Sequence, residues 1–292
     1  MYPFNLYSFL NERSPVAATS AGHIGVAASY LDHRFLAMQP EYEAMLHNVG
    51  IERGWRVLDA GCGGGAHLPL LAELVGWRGR IHALDLAPEN IAVVQHLART
   101  GELACALETH VASVLEVPLP DASVDAVWNA HVSQYLTDVD LRRMLHEFRR
   151  VTRPGGIVTI KEIDGALFQI RPIPATLMWH LFESAQSGGV RQLAGVLRTE
   201  TLPRFMREAG FANITAKSTL ITRRAPLRDV ERQCLHEIMQ MLAQFACAAR
   251  LPAAELQQWR SYADPDSPAY VLDAPDFCWC ETQTVVTGQA SS

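Results

Sequence analysis

A glycine-rich turn constrains the fold of this chain more than any other feature of its sequence. A short apolar run with Val57 and Leu58, closed by Asp59, leads into Gly61-Cys62-Gly63-Gly64-Gly65, and residues 66–74 have the pattern of a helix. Because glycine has no Cβ, a ligand can lie directly against the backbone of such a turn. The succession of strand, glycine turn and helix predicts a buried parallel strand in an α/β sheet.

Asp59 bears on which ligand the turn binds. Gly61, Gly63 and Ala66 fit the dinucleotide pattern G-x-G-x-x-G/A, in which a pyrophosphate lies at the helix N-terminus. The carboxylate of Asp59, two residues before the first glycine, would instead repel a pyrophosphate and attract an ammonium or sulfonium cation. The glycine turn alone does not distinguish a pyrophosphate ligand from a cationic one.

The series Asp59-x-Gly61-x-Gly63-x-Gly65 resembles the first motif of class I S-adenosylmethionine-dependent methyltransferases, and the chain is similar to the ubiquinone/menaquinone-biosynthesis group among them. The resemblance spans about residues 50–220 and includes Leu-Asp-Leu-Ala-Pro-Glu-Asn at 84–90, a proline loop at 116–125 and Arg-Pro-Gly-Gly at 153–156. It implies an α/β fold: a Rossmann-like, doubly wound seven-stranded sheet with the last strand antiparallel and added helical cap or lid segments.

The resemblance also implies S-adenosylmethionine as the cofactor and S-adenosylhomocysteine as the product. Asp59 and the glycine loop would hold the methionine moiety, and Asp85 would accept hydrogen bonds from both ribose hydroxyls. An N-cap on the next helix is a compatible second role for Asp85. Ser113 stands where relatives usually carry an Asp that binds adenine, and its hydroxyl makes a weaker bond. The expected cofactor-binding residues are Gln39, Asp59, Gly61, Cys62, Gly63, Asp85, Leu86, Ser113, Val114, Asn129 and Gln134.

His131 and Tyr135 are the candidate catalytic residues, since the segment after the fourth strand faces the transferring methyl group in this family. An imidazole titrates near working pH, so His131 can serve as a general base. It can equally bond to backbone or stack on adenine. The transfer does not require a base, because in-line positioning of the acceptor supplies much of the rate.

Composition limits the partners. The chain has 31 acidic and 25 basic residues without a basic block, which argues against nucleic acid because phosphate contacts need clustered Lys and Arg. No run approaches the roughly 20 apolar residues of a membrane span, and no signal-peptide pattern begins the chain. The six scattered cysteines form neither a disulfide framework nor paired metal ligands. We expect a cytoplasmic protein without membrane or metal binding; a homodimer is compatible with the sequence.

For domain organisation, we expect an N-terminal helical cap over residues 1–50 and a methyltransferase domain over 51–290, with helical insertions at about 165–198 and 226–272. The apolar insertions favour a small hydrophobic metabolite, as in secondary metabolism, with an oxygen, nitrogen or carbon acceptor. Two alternatives compete: a nicotinamide-dependent oxidoreductase that uses the same loop, and a methyltransferase-like binding protein without catalysis. Binding of S-adenosylhomocysteine or of NADH would separate them.

Overall fold

The chain folds around one mixed sheet of seven strands in the described residues of a computed structural model, which are 28–101, 103–188 and 190–291. The strands lie in the order β3-β2-β1-β4-β5-β7-β6; β7 runs antiparallel to both of its neighbours, and the first five strands are parallel. This confirms the predicted fold class. The strands are β1 (Arg56–Ala60), β2 (Arg80–Asp85), β3 (Ala106–Val111), β4 (Val124–Ala130), β5 (Thr152–Arg171), β6 (Phe211–Arg224) and β7 (Cys278–Ala290).

The order of the strands reverses at β1, which pairs with β2 on one side and with β4 on the other. In open α/β sheets a crevice forms at such a point, outside the carboxyl ends of the strands. The glycine turn follows β1 and therefore lies at the mouth of this crevice.

Helices cover both faces of the sheet and extend beyond its carboxyl edge. The described residues contain no helix with both the length and the apolar character that a membrane span requires. The helices are α1 (Ala28–Ala37), α2 (Gln39–His47), α3 (Leu68–Val75), α4 (Pro88–Thr100), α5 (Asp138–Val151), α6 (Ala175–Gly188), α7 (Arg191–Val196), α8 (Leu202–Glu208), α9 (Asp229–Ala248) and α10 (Ala253–Ala263).

Local sequence accounts for several helix starts. Pro88 lies in the first turn of α4, where its missing N–H is not needed. The Thr137 hydroxyl caps α5 by accepting from the backbone N–H of Asp140 at 3.1 Å. The apolar stripe of α5, which includes Met144 and Phe148, is fully buried against the sheet.

β5 is longer than the sequence pattern suggested. We predicted a helical insertion from about residue 165; the strand instead continues to Arg171. Its extension pairs with β7 after a register shift between Asp164 and Gln169. Antiparallel pairing with a strand more than a hundred residues later cannot be read from local periodicity. Helices α6 and α7 follow this extension, and α9 and α10 lie between β6 and β7.

Three apolar clusters hold the molecule together. One lies between the sheet and α3 with α4, and a second lies between the opposite face and α5 with α8. The third gathers α1, α2, α6 and α9 onto the extended ends of β5, β6 and β7. Buried polar contacts fix α1 to that extension, because Arg34 pairs with Glu281 at 2.8 Å and Arg223 donates to the Ala37 carbonyl. Residues of α1, α2, α6 and α9 thus line the crevice.

Candidate functional site

One cavity of about 320 Å³ lies at the carboxyl ends of the parallel strands, beneath the covering helices. We call one side the loop half; it comprises residues 61–64, Asp85, Leu86, Asn90 and 112–115. We call the other side the apolar half, which is lined mainly by Phe168, Phe182, Ile238, Leu242, Phe245 and Trp279. His131, Gln134 and Tyr135 line the same cavity.

The glycine turn depends on residues without a side chain. Gly61 has φ of 80°, and a Cβ there would lie 2.3 Å from Val132 Cγ2. Gly63 has φ of 54°, and a Cβ would lie 2.7 Å from Leu31 Cδ1. The N–H groups of Gly61 and Cys62 donate to the Leu84 carbonyl at 2.7 and 2.9 Å, which ties the turn to the tip of β2. A left-handed backbone with this little space can be built only from glycine.

Asp85 organises the loop half. Its Oδ2 accepts from the Gly63 N–H at 2.9 Å. Its Oδ1 accepts from the Ala87 N–H at 2.9 Å and from Asn90 Nδ2 at 3.1 Å. Each carboxylate oxygen carries two acceptor sites, so Oδ2, with one donor, can still accept from a ligand in the cavity, whereas Oδ1 already has two donors. The prediction that Asp85 is the N-cap of α4 is wrong: Ala87 holds that position without a side-chain cap bond, and Asp85 accepts from the Ala87 N–H.

Asp59 lies beneath the turn and is not among the lining residues. Its side chain is buried, and Oδ2 has no hydrogen-bond partner in the described part of the chain. Burial, with the Asp85 charge as a second cause, raises the pKa of Asp59 to about 8. A neighbouring cation would reverse this effect, so the group is suited to respond to a positive ligand above the turn.

The other predicted cofactor residues divide into two sets. Leu86, Ser113, Val114, Gln134 and the thiol-bearing Cys62 line the cavity. Burial raises the pKa of the Cys62 thiol well above its usual value, which keeps it protonated. The Ser113 hydroxyl accepts from the Leu115 N–H at 3.1 Å and keeps its own proton available for donation.

Gln39 and Asn129 are not brought to the cavity wall. Gln39 Nε2 donates to Glu43 Oε1 at 2.7 Å along the exposed side of α2. Asn129 is fully buried within β4 and donates to the Ala60 carbonyl at 2.6 Å, joining β4 to β1. Asn129 therefore supports the strand ends rather than facing the cavity.

A buried polar cluster surrounds His131. The backbone of His131 has φ of 58°, and its N–H donates to the Lys161 carbonyl at 2.9 Å. Lys161 Nζ lies 2.5 Å from His131 Nε2 and 3.4 Å from the centre of the Tyr42 ring. The Tyr42 hydroxyl lies 3.3 Å from the same His131 nitrogen. Burial and the neighbouring Lys161 hold the pKa of His131 well below its usual value, and burial lowers the pKa of Lys161 in the same way.

The second ring nitrogen of His131, Nδ1, faces the carboxyl group of Glu162. Nδ1 has no hydrogen-bond partner among the residues that the structure describes, and it lies 4.0 Å from the equally unpartnered Oε2 of Glu162. The other oxygen of Glu162 accepts from Ser133 Oγ at 3.0 Å. Burial raises the pKa of Glu162 to about 7. One nitrogen of the imidazole is thus anchored by Lys161 and Tyr42, and the buried Nδ1 faces the Glu162 carboxyl.

The apolar half has a charged floor and aromatic walls. Arg34 donates to both oxygens of Glu281 at 3.0 and 2.8 Å, and both side chains are almost completely buried. Burial alone would raise the pKa of Glu281, but Arg34 and the Gln283 amide lower it overall, so the pair is ionised. Phe168 meets Trp279 edge to face, with ring centres 4.5 Å apart.

Sequence reasoning missed three site residues: Tyr42, Lys161 and Glu281. Lys161 carried a usable signal, since it interrupts the apolar run Ile157-Val158-Thr159-Ile160 of a strand that is buried on both faces. Glu281 lies in a strand whose polar residues alternate, so nothing in the sequence marked it as a site residue. Tyr135 was predicted, and its hydroxyl accepts from Gln192 Nε2 at 3.2 Å at the cavity wall.

Comparison with known proteins gives one consistent result. A family model described as a methyltransferase domain matches residues 58–160. A malonyl-[acyl-carrier protein] O-methyltransferase from Erwinia pyrifoliae is 30% identical over 200 residues, which cover 64% of this chain and 71% of the relative. A demethylmenaquinone methyltransferase from Geobacillus kaustophilus is 27% identical over 193 residues, covering 60% of this chain and 78% of the relative.

The fold is shared with solved structures. The YcgJ protein from Bacillus subtilis superposes with a TM-score of 0.54 at 14% identity, covering 87% of this chain and 99% of that protein. At this identity the likeness concerns the fold alone.

Proposed function

Because this chain belongs to the class I S-adenosylmethionine-dependent methyltransferases, with S-adenosylmethionine as cofactor, we propose that it methylates a small apolar molecule bound in the apolar half of the cavity. One observation carries the proposal: the glycine turn, His131 and the apolar half all line one continuous cavity. Pockets for small molecules are typically apolar with a few convergent polar groups.

The loop half supplies the groups that a nucleoside with a cationic side chain requires. When bound, S-adenosylmethionine supplies a methyl group on a positively charged sulfur. The glycine turn offers bare backbone for close approach, and Asp59 places a buried acid below it. In the proposal, Asp85 Oδ2 accepts from a ribose hydroxyl and the Ser113 hydroxyl donates toward adenine. Gln39 and Asn129 have no direct role in it, since neither lines the cavity.

His131 is proposed as the general base. A neutral Lys161 amine accepts the Nε2 proton of His131, and this leaves the Nδ1 lone pair free to take a proton from the acceptor. The tautomer is assigned from this hydrogen-bond pattern. Lys161 is then a positioning residue, because it acts through His131 and does not line the cavity.

The apolar half favours an acceptor with an aromatic or aliphatic body and one ionisable O–H or N–H group. The aromatic wall would bury the body, and Tyr135 with Gln192 offers a hydrogen-bonding pair beside it. The named relatives include an O-methyltransferase of a carrier-protein conjugate and a menaquinone-type enzyme. Family membership therefore does not specify the acceptor atom. A hydroxyl group is the acceptor that best suits a general base at His131.

Calorimetry with S-adenosylhomocysteine and with NADH tests the cofactor half. We expect S-adenosylhomocysteine to bind and NADH not to bind. Binding of NADH alone, or of neither ligand, would contradict the proposed site.

An acceptor screen tests the other half. Methyl transfer from labelled S-adenosylmethionine would be followed with matched pairs of apolar compounds that carry or lack one hydroxyl. We expect transfer to hydroxyl members only. Transfer to a carrier-protein conjugate, with every apolar hydroxyl compound inert, would overturn the acceptor class while leaving the cofactor site intact.

A further inference from the structure

A cluster of three metal-ligating side chains lies apart from the cavity, on the outer strand pair of the sheet. His82 of β2 is directly opposite Glu108 of the neighbouring strand β3. His110 is two residues beyond Glu108 on the same strand and so projects from the same face. His82 is buried, and the other two side chains are partly exposed. None of the three lines the cavity.

We propose that His82, Glu108 and His110 bind a zinc ion. His82 Nδ1 lies 3.3 Å from His110 Nε2 and 3.4 Å from Glu108 Oε2, and all three donor atoms lie within 4.8 Å of one another. A tetrahedral zinc ion with bonds of about 2.0–2.1 Å separates its ligands by about 3.3–3.4 Å. Two of the three donor pairs thus already have the spacing that the ion requires.

The chemistry of the donors favours a transition metal. Two imidazoles and one carboxylate form a ligand set that zinc uses and that iron(II) also uses, whereas calcium and magnesium prefer oxygen ligands throughout. Three protein ligands leave the fourth position to water, and the partial exposure of Glu108 and His110 gives solvent access to it.

A neighbouring group orients the carboxylate. Arg80 Nη1 donates to Oε1 of Glu108, which directs the other oxygen, Oε2, toward His82. Such outer contacts fix the orientation of metal ligands and tune their affinity. The positive charge of Arg80 opposes a cation, but this side chain is about half exposed and its charge is screened by solvent.

Zinc at this place would clamp β3, the outermost strand, to β2. Sequence reasoning predicted no metal site, because the ligands come from separate strands without a spaced motif. The proposal is independent of methyl transfer, since its ligands contact none of the cavity.

Titration of the untagged, chelator-treated protein with zinc chloride tests the site by calorimetry. We expect one zinc ion per chain. His82→Ala and His110→Ala should each weaken zinc affinity by roughly tenfold or more, since even loss of an outer contact costs 10–100-fold. His47→Ala, which removes a histidine of α2, is the matched control and should leave the affinity unchanged. Equal affinity in all four proteins would overturn the proposal.

Thiols are the competing zinc ligands. Cys278 and Cys280 lie with their sulfurs 3.5 Å apart on β7. A Cys278→Ser, Cys280→Ser double variant should keep full zinc affinity, and loss of binding in it would contradict the site. Cobalt(II) as a spectroscopic probe should show no thiolate charge-transfer band; such a band would also contradict it.

Folding of the variants is checked independently. Zinc should raise the Tm of the wild-type protein but not that of His110→Ala, because an ion that binds the folded state stabilises it. Should His82→Ala fail to fold, Glu108→Gln changes a partly exposed ligand by one atom and must itself weaken zinc binding. Unchanged affinity in that variant would overturn the proposal.

Discussion

The loop half and the apolar half of the cavity draw their residues from the chain in different ways. In the loop half, Asp85 ends β2 and Ser113 follows β3, and hydrogen bonds within that half place both side chains, while Asp59 lies in β1 beneath the turn. The apolar half takes Phe168 from β5, Phe245 from α9 and other residues from helices and strands that meet through long-range packing.

The difference teaches which interactions specify each ligand. In the proposed site, the backbone N–H groups and the Asp85 carboxylate of the loop half would recognise features that every S-adenosylmethionine molecule has. The apolar half recognises shape, and apolar burial contributes roughly 25 cal/mol per Å² without directional preference. It can therefore change its ligand through substitutions that leave the loop half intact.

Replacing His131 by Asn is expected to have the largest effect and would separate the two halves functionally. Asn tolerates the positive φ of this position but cannot take up a proton as an imidazole does. We expect turnover of the acceptor to fall by about 10²–10⁴-fold, the usual contribution of a general base. Affinity for S-adenosylhomocysteine, measured by calorimetry, should not change.

Lys161→Met is the companion variant for this prediction. Removing the amine that holds Nε2 should lower turnover less than His131→Asn does and should shift the pH profile of kcat. An unchanged profile together with full turnover in His131→Asn would exclude this pair from catalysis.

Arg34→Met would remove the buried ion pair with Glu281 in the apolar half. It leaves Glu281 buried without its cation, and removal of one partner from a buried pair costs about 3–5 kcal/mol. Urea denaturation should show this loss in the free energy of unfolding. Combining it with Glu281→Gln should recover part of the stability; no recovery would mean that the loss comes from other contacts of Arg34.

Asp85→Ala would break the loop half alone. It removes acceptors for the Gly63 and Ala87 N–H groups as well as the proposed ribose contact, and a bond to a charged group contributes about 1.5–3 kcal/mol. Affinity for S-adenosylhomocysteine should fall by at least roughly tenfold. Asn90→Ala removes only the third partner of Asp85 and should weaken binding less. Unchanged affinity in Asp85→Ala would remove this residue from the site.

The pH dependence of the free energy of unfolding tests the raised pKa of Asp59. Its pKa is raised to about 8 in the fold from an ordinary value of 3.8, so the folded chain binds a proton that the unfolded chain has lost. The contribution of Asp59 to the free energy of unfolding is complete below its ordinary pKa and is lost as the pH rises to about 8. Asp59→Asn should remove this decline in urea titrations of the ligand-free protein. A decline of the same size in the variant would place its origin elsewhere.

Phe168→Ala should have the smallest effect and should be confined to the apolar half. Loss of the ring that meets Trp279 leaves space in the wall, and we expect KM for the acceptor to rise by about fivefold, or near 1 kcal/mol. Affinity for S-adenosylhomocysteine should remain as in the wild type. A parallel loss in both quantities would show that the two halves are coupled.

The sequence by itself determined the fold class and most of the loop half. Alternating strands and helices, the glycine turn and Pro88 act over a few residues, so their structural consequences can be predicted locally. The predicted seven-stranded sheet with an antiparallel last strand is confirmed. Asp85 and Ser113 lie at the cavity as expected, since the carboxyl ends of parallel strands share one edge.

Only the tertiary structure decided how the buried side chains pair. Lys161 meets His131 because β4 and β5 lie side by side, and Glu281 meets Arg34 because β7 returns beneath α1. Gln39 and Asn129 do not line the cavity, although each is near in sequence to residues that do. In a strand, a shift of one residue moves a side chain to the opposite face, so register and packing assign these contacts, and neither is local.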